Sequence, residues 1–196
     1  METSVSVMLD QLHEFLTTPA DGSRVVMMCG IAGAGKSTLA KAITKQYPGF
    51  HRLSIDQLVF EARGICGVDY PRREYQALLD DAEALLEEKF VELLKQKEDV
   101  VLDRSFWARK DRERCYELLR RHGAGGRHQL VYLQARKEFL WQRIQTRAKE
   151  AKGADNALDI SERLLDRYCS GFEAPTPDEN PMIVETETSK FQFERD

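Results

Sequence analysis

The chain is short of the features that mark several large protein classes. Its four cysteines, Cys29, Cys66, Cys115 and Cys169, are scattered through 196 residues, with no Cys-x-x-Cys pair and no matching histidine spacing. That pattern argues against structural zinc and a disulfide framework, and for reduced thiols in a cytoplasmic protein. No apolar run exceeds strand length, so no membrane span is expected, and Met1-Glu-Thr-Ser lacks the basic start of a secretory signal. Asparagine occurs only as Asn156 and Asn180, and neither stands in a guanine-reading Asn-Lys-x-Asp. Internal repeats, low-complexity tracts and long linkers are missing too. Residues 1–196 are therefore expected to form one domain, and a hydrophobic content of 42% supports a full core.

Charge is present but unevenly spread. The net charge is -4, yet residues 104–152 hold 14 Lys/Arg against 5 Asp/Glu, and residues 153–196 hold 4 against 11. A basic middle in a chain of pI 5.7 suggests a local site for phosphates rather than a general nucleic-acid surface.

The motif that is present carries most of the information. Gly30-Ile31-Ala32-Gly33-Ala34-Gly35-Lys36-Ser37-Thr38 fits G-x-x-x-x-G-K-[ST], the Walker A or P-loop pattern. The run 24–29 before it reads as a buried strand and residues 39–45 after it as a helix. Gly30, Gly33 and Gly35 permit backbone angles that a Cβ would forbid, so successive amides can converge on one anion. The N-terminus of the following helix adds partial positive charge. Lys36 can then reach the β- and γ-phosphates of a nucleotide, Ser37 can ligate Mg²⁺, and Thr38 can touch the α-phosphate.

Residues 5–16 have helical spacing and form the core of an expected N-terminal helix within 1–20, ended by the break at residues 18–22. Further strands are expected at 50–55, 99–103, 128–133 and 182–186. Residues 61–71 read as irregular. Tyr75 to Leu94 carries apolar residues at i, i+3, i+4 spacing and reads as a long scaffold helix. Helices are also expected over 109–121, 137–149 and 159–168. Strands alternating with helices imply βαβ units, a parallel sheet and right-handed crossovers, with ligands outside the carboxyl ends of the strands.

Two acids are expected at such ends. Asp103 closes Val100-Val-Leu-Asp, a position suited to holding Mg²⁺ through its water; Asp56 closes Leu53-Ser-Ile-Asp, where it could accept the proton of an attacking hydroxyl. Either could instead cap the next helix. Arg104, rather than a water-positioning Glu, follows Asp103, which favours transfer to an acceptor over hydrolysis. Arg143 and Arg147 lie four residues apart on one helix face, and with the small, polar stretch 148–157 they suggest a lid over residues 137–158. At least one of the pair is expected at the triphosphate, Arg143 in preference. Arg63, Arg72 and Arg73 could line an acceptor pocket, although residues 70–73 could equally start the next helix.

Together these residues resemble a family of small P-loop kinases that includes the kinase domain of polynucleotide kinase-phosphatases, zeta-toxin-type kinases and chloramphenicol phosphotransferase. The resemblance runs from about Val25 to Thr186. It rests on the 30–38 loop, Leu-Ser-Ile-Asp56, Val-Val-Leu-Asp103, Arg143-x-x-x-Arg147 and Phe172-Glu-Ala-Pro175, the last similar to a Phe-Glu-x-Pro element ahead of the final strand. It implies an α/β three-layer P-loop fold, a five-stranded parallel sheet with helices on both faces and a helical lid. It also implies ATP as donor, Asp56 as the acceptor-activating acid, Asp103 as the magnesium-side acid and Arg143 or Arg147 as the lid arginine. Unlike a full polynucleotide kinase, the chain has no attached phosphatase domain and no basic tract interleaved with aromatics. The expected activity is an ATP- and Mg²⁺-dependent transfer to a hydroxyl of a sugar, nucleoside or antibiotic-like molecule. A polynucleotide 5′-hydroxyl ranks behind it as acceptor, and a nucleotide-dependent switch or accessory ATPase ranks third.

Overall fold

The computed structural model describes residues 5–19 and 21–187; the first four and last nine residues of the expected domain, and Ala20 in the expected break, lie outside them. Five strands form one sheet: β1 (Val25–Cys29), β2 (Phe50–Ser54), β3 (Asp99–Asp103), β4 (His128–Gln134) and β5 (Met182–Glu185). Their order is β2-β3-β1-β4-β5 and every neighbouring pair is parallel. All five residues of β1 are buried, as an apolar strand covered on both faces requires.

Alternation along β1 divides the core into two layers. Val26 and Met28 pack on one face with α1 (Val5–Thr17), α2 (Lys36–Gln46), α6 (Lys137–Ala148) and Leu165 of α7 (Glu162–Gly171). Val25, Met27 and Cys29 pack on the other with α3 (Ile55–Arg63), α4 (Tyr75–Gln96) and α5 (Arg109–Arg121). A strand residue points to alternate faces with period two, so one strand serves both layers. Helix α4 buries Ala82, Leu86, Phe90 and Leu94, one residue per turn, each large side chain contributing roughly 1.5–3 kcal/mol. This is the three-layer P-loop fold that the sequence predicts, with α6 and the 3-10 turn Ala154–Asn156 forming its lid.

Some boundaries differ from those expected. Strand β2 ends at Ser54, and Ile55 and Asp56 already belong to α3, so Asp56 sits in the first turn of a helix rather than at a strand end. The cause is Ser54, whose hydroxyl accepts from the amide of Gln57 and caps the helix. Residues 61–63, read as irregular, complete α3. Ser161 caps α7 in the same way, which delays that helix to Glu162.

Candidate active site

The 30–38 loop leaves the end of β1 at the centre of the sheet. Gly30 has φ +140°, and a Cβ there would stand 2.4 Å from the carbonyl oxygen of Leu133. Gly33 has φ +87°, and a Cβ there would stand 2.9 Å from the carbonyl oxygen of Leu140 in α6. Only glycine fits either place without moving backbone. Helix α2 begins at Lys36, behind Gly35 at φ +102°, with no side chain capping it. An uncapped helix N-terminus behind a glycine turn suits an anion.

Lys36 is folded back so that its ammonium donates to the carbonyl of Ile31 at 3.0 Å. Burial in the cleft pulls its pKa down, while Asp103 and Asp56 pull it up. One residue on, the Ser37 hydroxyl donates to Asp103 Oδ1 at 3.3 Å. Asp103 is the last residue of β3 and only 4% exposed. It lies in register with Ser54 of β2 and Met28 of β1, which brings the start of α3 and the phosphate loop to the same edge of the sheet.

Asp56 stands at that edge. Its side chain is exposed to solvent, although many protein atoms lie around it. Desolvation pushes its carboxyl above the usual range. Lys36 opposes the shift, Asp103 and Asp155 reinforce it, and Arg147 opposes it. The same carboxylate acts on the phenols of Tyr75 and Tyr168, both held above the ordinary value first by burial and then by Asp56. These two phenols, from the start of α4 and from α7, are therefore held in the neutral form. Neither was singled out in the sequence.

The two lid arginines part company. Arg143 donates to the carbonyl of Gly33 at 3.2 Å, to the Thr186 hydroxyl at 3.0 Å and to the Thr186 carbonyl, joining the phosphate loop to the end of β5. Arg147 turns inward toward the charges of Asp56 and Lys36. Its Nη1 donates to the carbonyl of Asp155 at 3.4 Å, and its buried Nε has no hydrogen-bond partner among the described residues. Arg63 is paired with Glu74, Arg72 donates to the carbonyl of Asp159, and Arg73 is exposed on the 3-10 turn that precedes α4. The amide of Cys66 donates to the carbonyl of Ala157 at 3.2 Å, tying the loop after α3 to the lid.

Two more residues belong to this constellation. Arg52 of β2 and Asp155 of the lid are paired with each other, and Arg52 also holds Asp103. The alternation of β2, with His51 exposed and Arg52 half-buried, was the only sequence signal for Arg52. Asp155 carried none, because its partners lie more than 100 residues away in the chain. Phe172, in the segment 172–177 where a base reader could form, stacks on Tyr132 with ring centres 5.7 Å apart.

The donor set fits a nucleotide with a hard divalent ion. Ser37 Oγ and Asp103 Oδ1 are oxygen ligands suited to Mg²⁺, which keeps waters and takes phosphate oxygens rather than an all-protein cage. No cluster of three or more His, Cys, Asp or Glu among the described residues is placed to hold a metal. The buried Arg147 Nε is a donor without a hydrogen-bond partner among the described residues.

No helix among the described residues is long and apolar enough to cross a membrane. No curated protein sequence matches the chain. Solved structures with the same fold include a "putative kinase" from Chloroflexus aurantiacus, 22% identical, covering 85% of this chain and 90% of that one, with a TM-score of 0.65. A gluconokinase from Sinorhizobium meliloti is 20% identical over 85% of both chains, with a TM-score of 0.57. Kti12 from Chaetomium thermophilum, solved with ADP-AlF3, is 14% identical over 82% of this chain and 88% of its own, with a TM-score of 0.58. A family profile described as an AAA domain matches residues 25–175, the span from the first residue of β1 to the proline after α7. With the glycine loop, Lys36, Ser37 and the parallel sheet in place around it, the chain belongs to that AAA-domain family and carries the P-loop NTPase fold.

Proposed function

We propose that the protein transfers the γ-phosphate of ATP, held with Mg²⁺, to the hydroxyl of a small uncharged molecule. The observation that carries this reading is the placement of Asp56 between two groups of side chains. The charges of Lys36, Asp103 and Arg147, from the phosphate loop, β3 and α6, act on its carboxyl, and its own charge acts on the phenols of Tyr75 and Tyr168, from α4 and α7. A carboxylate so placed can take a proton from an alcohol as that oxygen attacks. Bound ATP supplies the phosphoryl group and Mg²⁺ neutralises its charge. The loop amides and Lys36 bind the triphosphate, Ser37 and Asp103 hold the ion, and Arg147 offers a guanidinium where charge spreads during transfer.

The acceptor side supports an uncharged alcohol over a nucleic acid. Of the three arginines that could line an acceptor pocket, Arg63 and Arg72 are taken by Glu74 and by the Asp159 carbonyl and Arg73 is exposed, whereas the phenols of Tyr75 and Tyr168 stay neutral. Hydroxyl donors and flat rings suit a sugar, a nucleoside or an aryl alcohol. The deciding experiment is an acceptor screen with ATP and Mg²⁺ that measures ADP release. Stimulation by an uncharged alcohol, absent in Asp56→Asn, supports the reading. Stimulation only by oligonucleotides, weakening steeply with salt, favours a polynucleotide kinase. Slow ADP release that no acceptor accelerates favours an ATPase switch.

A further inference from the structure

Arg52 lies on the edge strand β2, 14% exposed, and its guanidinium meets two carboxylates from distant parts of the chain. Nε and Nη2 both donate to Asp103 Oδ2, at 2.9 and 2.6 Å, and Nη2 also reaches Asp155 Oδ1 at 3.2 Å. The oxygens of Asp103 are thereby divided: Oδ2 is held by Arg52, and Oδ1 is left turned to Ser37. The oxygens of Asp155 are divided as well. Oδ1 meets Arg52, and Oδ2 is taken by Lys41 of α2.

Asp103 is part of the rigid sheet, whereas Asp155 is part of the lid, in the 3-10 turn Ala154–Asn156. No hydrogen bond joins the two acids. As like charges they repel, and a guanidinium between them converts that repulsion into a bridge. A fork with several N–H donors can serve both at once, which a point-like ammonium cannot.

We propose that Arg52 is a positioning residue that couples the lid to the magnesium-side acid. It fixes Asp103 with Oδ1 toward Ser37 and docks the lid through the same guanidinium, so the two arrangements stand or fall together. This rests on the reading of Asp103 given above. It adds that the charge on a sheet residue touching no lid atom controls how firmly the lid is held.

The test is a double-mutant cycle read by hydrogen exchange of the lid amides at 153–157. It is run without nucleotide and in EDTA, and referenced to the buried amides of α4. Asp103→Asn is expected to speed lid exchange roughly tenfold in the native background, the size of one lost charge-assisted hydrogen bond. In the Arg52→Gln background, where the bridge is already gone, the same change is expected to add nothing. Lys41→Ala serves as control: it removes the other partner of Asp155 and leaves the Arg52–Asp103 contact in place, so Asp103→Asn still adds its full effect there. Should Arg52→Gln fail to fold, Arg52→Lys keeps the charge but not the fork and is expected to show the same loss of coupling. Equal effects of Asp103→Asn with and without Arg52, or no effect on the lid at all, overturn the proposal. Failure of the kinase reading would appear separately, as wild-type protein that neither binds ATP nor releases ADP on addition of an acceptor.

Discussion

The ammonium of Lys36 and the carbonyl of Ile31 are joined across the mouth of the phosphate loop at 3.0 Å, so the loop holds its own cation ready. The contact is local and involves a backbone oxygen that remains half-exposed. Lys36→Ala is therefore expected to leave melting behaviour within about 1 kcal/mol of the parent while lowering transfer by roughly 10²–10³-fold. Calorimetry of ATP binding, run beside turnover assays, checks it; unchanged turnover would contradict the assigned role.

Asp56 sets activity against stability. Its folded-state pKa is raised, chiefly by desolvation, so the native state prefers the protonated acid. The stabilising contribution is full below the ordinary carboxylate pKa of about 4 and is lost as pH rises through the higher folded value. Asp56→Asn is expected to abolish that loss, giving a higher melting temperature at neutral pH and no gain at pH 3. Transfer should fall by roughly 10²–10⁴-fold. A melting curve at each pH, with activity measured in parallel, decides the matter.

Arg143 and Arg147 should separate cleanly. Arg143→Ala removes three hydrogen bonds that tie Gly33 to Thr186, and is expected to cost about 1–3 kcal/mol of stability. Arg147→Ala removes one long bond to a carbonyl, so stability should change little while transfer falls by at least roughly 10²-fold. Urea melts with single-turnover rates distinguish the two; matching profiles for both variants would contradict the division.

The buried pair Arg112–Glu179, with side chains 1% and 3% exposed, predicts an acid-sensitive fold. Burial alone would raise the Glu179 pKa, but hydrogen bonds from Arg112 win and depress it. Its contribution is present above the ordinary Glu value of about 4.3 and is lost as pH falls through the depressed folded value. Glu179→Gln leaves an uncompensated guanidinium and is expected to cost about 3–5 kcal/mol at pH 7, with less difference from the parent at pH 2. Denaturant melts at both values test it.

Much of the fold was legible because it is built from local patterns. The all-buried β1, the glycine loop and the one-per-turn stripe of α4 each declare themselves within a short window. Ser54 shows where such reading slips. Ile55 extends the apolar alternation of β2, and that pattern hides the helix start that Ser54 makes by capping Gln57. In the site, Lys36 and Ser37 follow from the loop motif, and Asp103 from its strand. Arg52, Asp155, Tyr75 and Tyr168 were not found as site residues, since each acquires its place only when separate segments of the chain meet.

The hydrogen bond from Cys66 to Ala157 has a consequence for how selectivity can change. On the proposed function, the stretch that would admit the alcohol and the flap that would cover the nucleotide share a main-chain joint, one that side-chain substitution cannot remove. Widening the entrance by lengthening residues 64–70 will therefore also alter how quickly the flap swings, and with it the departure of product. Altered substrate choice and altered turnover should arrive as a pair.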